Sequence, residues 1–150
     1  MSRSGDVSRR ARSIGPILAL CLGFCVPGYG LSAQAPEPVR FAPGASSAEV
    51  RGAVVRGERA LYSVEAHAGL RMSLHIAAVE DNAAFRIYPP GAWPGAGGSG
   101  SGAAGSALPG AGEGEDAARW SGVLPRSGAY LVVVAPTRGN ATYRLTIELR

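Results

Sequence analysis

The sequence predicts an all-β fold, an antiparallel β-sandwich of jelly-roll type with about seven or eight short strands. Apolar and polar residues alternate with a period of two in several segments, as they do in strands with one buried and one solvated face. Clusters of Gly, Pro, Asn and Asp separate these segments at intervals of roughly 8–12 residues, which is the spacing of short sandwich strands. No segment has the pattern of a convincing amphipathic helix.

The first 35 residues have the composition of a signal peptide. Four arginines precede an apolar run over residues 14–26, and Ala33-Gln34-Ala35 has the small-x-small pattern of a signal-peptidase site. The apolar run is too short for a confident membrane span. We expect export by the Sec route, which the pattern favours over a twin-arginine route. Cleavage would leave residues 36–150 as one domain, in the periplasm or secreted, without membrane insertion.

Charge and cysteine content exclude several function classes for the mature chain. Residues 36–150 contain 11 Arg and 10 acidic residues, so the net charge falls from +4 for the whole chain to +1. A near-neutral domain gives no reason to expect nucleic acid as a partner. Cys21 and Cys25 both lie in the leader. The mature chain therefore has no disulfide, no thiol nucleophile and no thiolate metal site.

The strands follow one another along the mature chain. The clearest alternation runs from Leu70 to Ile76, where every second residue is apolar. Residues 56–58 form a connection of hairpin length between two earlier strands. The predicted strands cover residues 39–41, 48–55, 59–66, 70–76, 84–88, a segment beginning at Trp120, 131–134 and 141–149.

The stretch from Trp120 to Pro136 is predicted to form a strand, a turn and a second strand around which the chain is organised. Pro125-Arg126-Ser127-Gly128 has the composition of a tight turn, because proline presets φ and glycine allows a positive φ. Leu131 to Val134 is an unbroken apolar run, which suits a strand covered on both faces. Trp120 and Tyr130 are expected to pack across this hairpin.

Residues 91–116 differ in composition from the strands around them. Ten of these 26 residues are glycine, and Ala, Ser and Pro make up most of the rest. Such a segment buries too little apolar area to offset its chain entropy. We therefore predict a long, flexible, disordered loop here. Its acidic residues Glu113, Glu115 and Asp116 fit a solvating charge run better than a calcium site.

Residues that carry catalytic or metal chemistry are few and scattered. His67 lies in a turn and His75 on the polar face of a strand, and a metal site would need carboxylates to complete it. Ser127 lacks the glycine two residues upstream that a nucleophile elbow requires. Glu80 and Asp81 are adjacent at a strand end, so their side chains point to opposite sides. We predict a protein that is not an enzyme and holds no metal ion or cofactor.

Two arginines in turns are the remaining candidates for function. Arg126 precedes Tyr130, and Arg138 lies in the turn Thr137-Arg138-Gly139-Asn140. Both are expected on loops at an end of the sandwich, where binding residues tend to lie. A guanidinium on a loop tip can enter a cleft and pair with a carboxylate through two hydrogen bonds.

Five blocks of the mature chain carry a resemblance to a known family, and the block ending at Tyr130 is the most specific. They are Val39-Arg40-Phe41 with Gly44 and Gly52, Tyr62 with Ala66-His67-Ala68-Gly69, Asn82-Ala83-Ala84-Phe85 with Tyr88-Pro89-Pro90, Ser121 to Tyr130, and Ala141 to Leu145. Together they resemble the periplasmic inhibitors of goose-type (g-type) lysozyme, and more broadly the bacterial pre-peptidase C-terminal β-sandwich domains. The resemblance extends from Val39 to Leu149 except over the glycine-rich segment.

The resemblance implies an exported, non-enzymatic protein that occludes the active-site cleft of g-type lysozyme by inserting a loop. Arg138 matches the arginine-bearing loop of that family, and Ser127 and Tyr130 match its Ser-Gly-x-Tyr turn, beside Arg126. These four residues are the expected contacts with the lysozyme. The alternative is a non-catalytic envelope module that binds cell-wall glycan or a protein through the same end, for which Trp93 is the one candidate aromatic outside the strands.

Overall fold

The structure of the protein is a computed structural model, which describes residues 35–92 and 106–150. The predicted signal peptide apart from Ala35, Trp93 and residues 94–105 of the glycine-rich segment lie outside the described residues. Within the described ranges, no helix is long and apolar enough to cross a membrane.

The described residues form two four-stranded sheets, which confirms the predicted all-β sandwich. The strands are β1 (Glu37–Pro38), β2 (Ser47–Val54), β3 (Ala60–Ala66), β4 (Arg71–Ala78), β5 (Ala83–Tyr88), β6 (Arg119–Val123), β7 (Gly128–Pro136) and β8 (Ala141–Leu149). The first sheet has the order β1-β3-β7-β5 and the second the order β2-β8-β4-β6. All pairs are antiparallel except β1 with β3.

Consecutive strands from β2 to β8 alternate between the two sheets. The predicted hairpin across 120–136 is therefore wrong, and so is the hairpin at 56–58: both connections cross from one sheet to the other. Trp120 lies opposite Leu74 in the second sheet, whereas Tyr130 lies opposite Val64 in the first. Turn composition predicts where the chain reverses. Turn composition does not predict whether the strands before and after the turn pair in one sheet or lie in the two opposite sheets.

The core lies between the inner faces of the sheets, as the alternation predicts. In β4, Met72, Leu74 and Ile76 are buried, while the residues between them are partly or fully exposed. The same alternation holds in β8, where Leu145 and Ile147 are fully buried. A period of two thus identified the inward side of these strands correctly.

The outer face of the first sheet is also covered, as the apolar run in β7 predicts. Leu131 and Val133 are each only 6% exposed and pack with Tyr88 and Ala92. Leu61 and Ala107 pack against this second cluster. Residues at both ends of the glycine-rich segment thus cover a sheet face that would otherwise expose large apolar side chains.

Part of the segment predicted to be flexible is packed against the sheet. Leu108 N–H donates to the carbonyl of Ile87 at 2.8 Å, and Ile87 N–H donates to the carbonyl of Ala111 at 3.1 Å. Leu108 and Ala111 belong to the main core cluster. The expectation of flexibility is therefore wrong for residues 106–116. The prediction rested on the average composition of the segment, which gives no weight to single apolar residues such as Leu108 and Ala111. It also took no account of the backbone of the segment, which can pair with the free edge of β5.

The N-terminal edge strand also differs from the prediction. The strand β1 covers Glu37–Pro38 rather than residues 39–41. Val39 N–H still donates to the carbonyl of Ser63, and the side chains of Val39 and Phe41 pack against the core. Residues 39–41 therefore pack against the core beside β3 without forming a strand.

A pair of tyrosines joins the two sheets. The hydroxyls of Tyr62 on β3 and Tyr143 on β8 lie 2.6 Å apart in the core. Burial, together with this hydrogen bond, raises the pKa of Tyr143 above its ordinary value. Gly52 lies opposite Tyr143 in the ladder, and a Cβ at Gly52 would lie 2.6 Å from the Tyr143 hydroxyl. The glycine in β2 thus makes room for the ring.

Candidate partner-binding loops

The predicted binding residues lie at two opposite ends of the sandwich. We call one the Arg126 end, formed by residues 67–70, 89–91 and 124–127. We call the other the Arg138 end, formed by residues 56–59, 79–82 and 137–140. The nine residues of β7 separate the two ends, a distance of roughly 30 Å at about 3.3 Å per residue. Arg126 and Arg138 therefore cannot enter one narrow cleft together from a single chain, contrary to the expectation of one shared end.

The hydroxyl of Tyr130 binds the backbone of the turn at the Arg126 end from the core side. It donates to the carbonyl of Arg126 at 2.6 Å and accepts from Arg126 N–H at 3.1 Å. The side chain of Tyr130 is fully buried, so direct contact with a partner, as expected from sequence, would require it to leave the core. In this structure Tyr130 positions the turn.

Ser127 ties the same turn to its neighbour. Its side-chain oxygen accepts from Ala68 N–H at 2.9 Å, which joins the β6–β7 turn to the β3–β4 turn. Beneath it, Leu124 N–H donates to the carbonyl of Leu70, and Gly69 N–H donates to the carbonyl of Leu124. Gly128 has φ near +134° and lies against Pro90. These contacts hold the backbone of the turn in one conformation before any partner binds.

Arg126 is exposed on this turn, and it forms no ion pair within the described residues. The segments that form the Arg126 end, residues 67–70, 89–91 and 124–127, contain no Asp or Glu. All five donors of its guanidinium are thus free of protein carboxylates in the described part of the chain.

Asn82 holds the loop at the Arg138 end. Its side-chain NH₂ donates to the carbonyls of Arg138 at 3.1 Å and Asn140 at 2.7 Å. Its backbone carbonyl accepts from Thr137 N–H at 2.8 Å. Asn82 is 1% exposed and is the one buried residue with a polar side chain other than tyrosine among the described residues. It fixes the β7–β8 loop as Tyr130 fixes the β6–β7 turn.

The guanidinium of Arg138 is less free than that of Arg126. It donates to the carbonyl of Glu80 at 2.9 Å. The side chains of Glu80 and Asp81 belong to the same loop, and Asp81 takes a positive φ of 48° that turns the chain there. The Arg138 end therefore carries the carboxylates of Glu80 and Asp81 as well as the guanidinium of Arg138.

Sequence reasoning missed the role of Asn82. It placed Asp81-Asn82 in a loop, and the resemblance included Asn82, but neither gave it a function. An asparagine in a loop usually signals a turn. The one available signal is that Asn82 comes directly before the apolar strand β5. A polar side chain at that position lies close to the core.

The described residues offer little for catalysis. No group of three or more His, Cys, Asp or Glu side chains that could hold a metal ion is found in ranges 35–92 and 106–150. His67 and His75 are both exposed. Arg86 forms an ion pair with Glu113, and the Glu115 carboxylate accepts from Gly112 N–H, so two of the three acidic residues of that segment have structural contacts.

No protein-family model matches the chain, and no curated protein sequence does. Solved structures do match it. The periplasmic lysozyme inhibitor of g-type lysozyme from Aeromonas hydrophila, PliG, is 31% identical, with 77% of this chain and 96% of that chain covered and a TM-score of 0.58. PliG of Salmonella Typhimurium is 20% identical, covering 78% and 100% of the two chains with a TM-score of 0.52.

A mutant of PliG from Escherichia coli is 22% identical, covering 77% and 100% with a TM-score of 0.51, and together with the Salmonella protein it supports the fold. The Aeromonas hydrophila protein supports more, because the identity extends over nearly its whole length on the same sandwich. The chain described here therefore belongs to the family of periplasmic inhibitors of g-type lysozyme.

Proposed function

We propose that this protein is an exported, non-catalytic inhibitor of g-type lysozyme that acts in the periplasm by placing the Arg126 turn in the active-site cleft of the lysozyme. The observation that carries the inhibitor role is the 31% identity over 96% of the Aeromonas hydrophila inhibitor. The choice of the Arg126 turn rests on the geometry of the two ends.

The chemistry of the target favours a cationic loop. Glycoside hydrolases cleave their substrates with carboxyl groups in the cleft. A guanidinium that enters such a cleft can form a charge-assisted pair with a carboxylate and exclude the substrate. The surrounding protein must not carry carboxylates of its own that repel those of the cleft.

The Arg126 end meets these requirements better than the Arg138 end. Arg126 is exposed, and the segments that form its end contain no Asp or Glu. Arg138 instead donates to the backbone of Glu80, and the carboxylates of Glu80 and Asp81 lie in the adjoining loop. The hydrogen bonds of Tyr130 and Ser127 preorganise the Arg126 turn, which reduces the entropic cost of binding.

The test is inhibition of a g-type lysozyme by the purified exported protein, measured against a chicken-type lysozyme. We expect stoichiometric inhibition of the g-type enzyme alone. Arg126→Ala is expected to weaken it by about tenfold to 100-fold, since truncating one member of a buried charge pair typically costs more than about 1.4 kcal/mol. Arg119→Ala, at an exposed position on the edge strand β6, is the control and should inhibit like the unmodified protein.

Arg138→Ala separates the two ends. If it weakens inhibition while Arg126→Ala does not, the inhibitor role stands and the Arg138 end enters the cleft. If neither substitution changes inhibition, loop insertion by an arginine is wrong. If the protein inhibits neither lysozyme, the proposed function itself is wrong for this member of the family.

A further inference from the structure

A depression lies on the outer face of the second sheet, next to the Arg138 end. Its volume is about 570 Å³, and it is lined by residues 51–53 of β2, 77–79 at the end of β4 and 142–144 of β8. The strand β8 lies between β2 and β4 in this sheet, so the depression crosses three neighbouring strands. A volume of several hundred Å³ is typical of sites that bind small molecules.

Small and apolar side chains form much of the lining. Ala53 and Ala77 are exposed on the outer face of the sheet. Val79 is 88% exposed, and its N–H donates to the carbonyl of Thr142 at 3.4 Å. Because the alanine side chains are short, the longer side chains around them stand higher above the sheet. An apolar group placed over the alanines and against Val79 would remove apolar surface from water.

Two arginines lie directly opposite each other beside these alanines. Arg51 on β2 is paired with Arg144 on β8, and like charges in such positions repel each other. One carboxylate oxygen, Oε1 of Glu49, lies 2.9 Å from Nε of Arg51 and 3.4 Å from Nε of Arg144. Two guanidinium charges and one carboxylate leave this group with a net charge of +1.

The two guanidinium groups keep hydrogen-bond donors for a ligand. Each has five N–H donors, and Glu49 contacts only the Nε of each. Within residues 35–92 and 106–150, the terminal nitrogens of Arg51 and Arg144 contact no carboxylate. The side chains of Arg51 and Arg144 are 70% and 54% exposed. An anion can therefore accept from both arginines without displacing Glu49.

We propose that this depression binds a small amphipathic anion, a single molecule with an aliphatic chain and a carboxylate or phosphate headgroup. The headgroup accepts hydrogen bonds from the terminal nitrogens of Arg51 and Arg144. The aliphatic chain lies over Ala53 and Ala77, against Val79. Binding thus offsets the remaining positive charge of the arginine pair and buries the apolar part of the depression.

The shape of the surface favours a single molecule over a membrane. The headgroups of a flat bilayer could reach the guanidinium groups, but its aliphatic chains could not reach alanines at the bottom of a depression. Val55 and Val123, the other exposed large apolar residues in the described part of the chain, do not line the depression. One exposed valine suits one aliphatic chain better than a membrane surface.

Titration of the isotope-labelled exported protein with decanoate, followed by NMR and carried out without lysozyme, tests the site. We expect the amide signals of residues 51–53, 77–79 and 142–144 to shift and to saturate below the critical micelle concentration of decanoate. Arg144→Glu should weaken binding by about tenfold or more, because it replaces an attraction to the headgroup with a repulsion. This variant should fold, since its new carboxylate lies opposite Arg51 in place of a like charge.

Arg150→Glu is the matched control. It makes the same change in net charge just beyond the other end of β8, where Arg150 contacts Glu148. It should change the affinity for decanoate by less than about twofold, because exposed charges beyond a Debye length are screened. Val79→Glu is a second variant. It should weaken binding by about tenfold, because it places a charge against the aliphatic chain, and at 88% exposure it leaves the core intact.

Four results would overturn the proposal. Decanoate could cause no saturable shifts, or shifts outside the depression. Arg150→Glu could weaken binding as much as Arg144→Glu, so that only net charge matters. Decyltrimethylammonium, with a similar chain and a cationic headgroup, could bind as tightly as decanoate. Vesicles of phosphatidylglycerol could bind the protein while decanoate does not, which would assign the surface to a membrane. Since lysozyme is absent, each result is independent of the proposed inhibition.

Discussion

At the scale of single residues, each arginine-bearing loop depends on one buried polar side chain. Tyr130 bonds to both backbone groups of Arg126, and Asn82 bonds to the carbonyls of Arg138 and Asn140. A buried polar group stabilises a fold when its hydrogen bonds are made and destabilises it when they are lost. The conformation of each loop thus depends on hydrogen bonds from Tyr130 or Asn82 to the loop backbone, and not on the side chains that the loop exposes.

Removal of the Tyr130 hydroxyl tests this dependence. Tyr130→Phe leaves the ring in the core but deprives the carbonyl and N–H of Arg126 of their partner. We expect the free energy of unfolding to fall by about 1–2 kcal/mol and inhibition of g-type lysozyme to weaken with it. Urea unfolding followed by circular dichroism, and the inhibition assay on folded protein, measure the two effects.

Tyr88→Phe is the matched control. Tyr88 is 6% exposed in the same sheet, and its hydroxyl has no protein partner within the described residues. Its substitution should change the free energy of unfolding by less than about 0.5 kcal/mol. Equal losses in the two variants would mean that the contacts to Arg126 are not what makes Tyr130 important.

At the scale of elements, the glycine-rich segment is a partner of β5 as well as a connection. Residues 108–117 pair with Phe85 and Ile87 through the backbone. Trp120 adds a further contact, because its indole N–H donates to the carbonyl of Pro109 at 2.8 Å. The segment thus supplies a missing neighbour for an edge strand, a common way to protect an edge.

Leu108→Ala tests whether this packing stabilises the protein. Leu108 is 7% exposed and belongs to the core cluster. Its truncation is expected to lower the free energy of unfolding by about 2–4 kcal/mol, the usual cost of a large-to-small change in a core. Urea unfolding measures the loss, with the exposed Ser106→Ala as control. A loss below about 0.5 kcal/mol would mean that the segment does not contribute to the fold.

At the scale of the whole molecule, the sequence predicted the strands but not their assignment to sheets. The alternation in β4 and β8 identified both the strands and their buried sides, because a period of two is a local property. The partner of a strand is not local. Trp120 and Tyr130 are close in sequence, and yet they lie in different sheets. The expectation that Arg126 and Arg138 share one end had a different cause, because one predicted strand, 131–134, already lay between them and the loops before and after a strand lie at its opposite ends.

For three of the four candidate residues, Arg126, Ser127 and Arg138, the position in the sequence therefore predicted a place on a loop, and no more. Arg126, Ser127 and Arg138 are indeed exposed at the ends of strands. The burial of Tyr130 and the role of Asn82 depend on contacts between segments far apart in the chain. Such contacts follow from the packing of two layers, for which a single sequence has no periodic signal.

The alternation of strands between sheets also predicts how the protein folds. Each sheet contains only pairs that are distant along the chain, such as β2 with β8 and β3 with β7, so no hairpin can form early and locally. We expect refolding from urea in milliseconds to seconds, as for other folds dominated by non-local pairs. Stopped-flow fluorescence measures the rate, and a double-jump protocol removes the slower phase due to proline isomerisation. Refolding of the fast phase within microseconds would contradict this, and would require a local nucleus that the strand order does not contain.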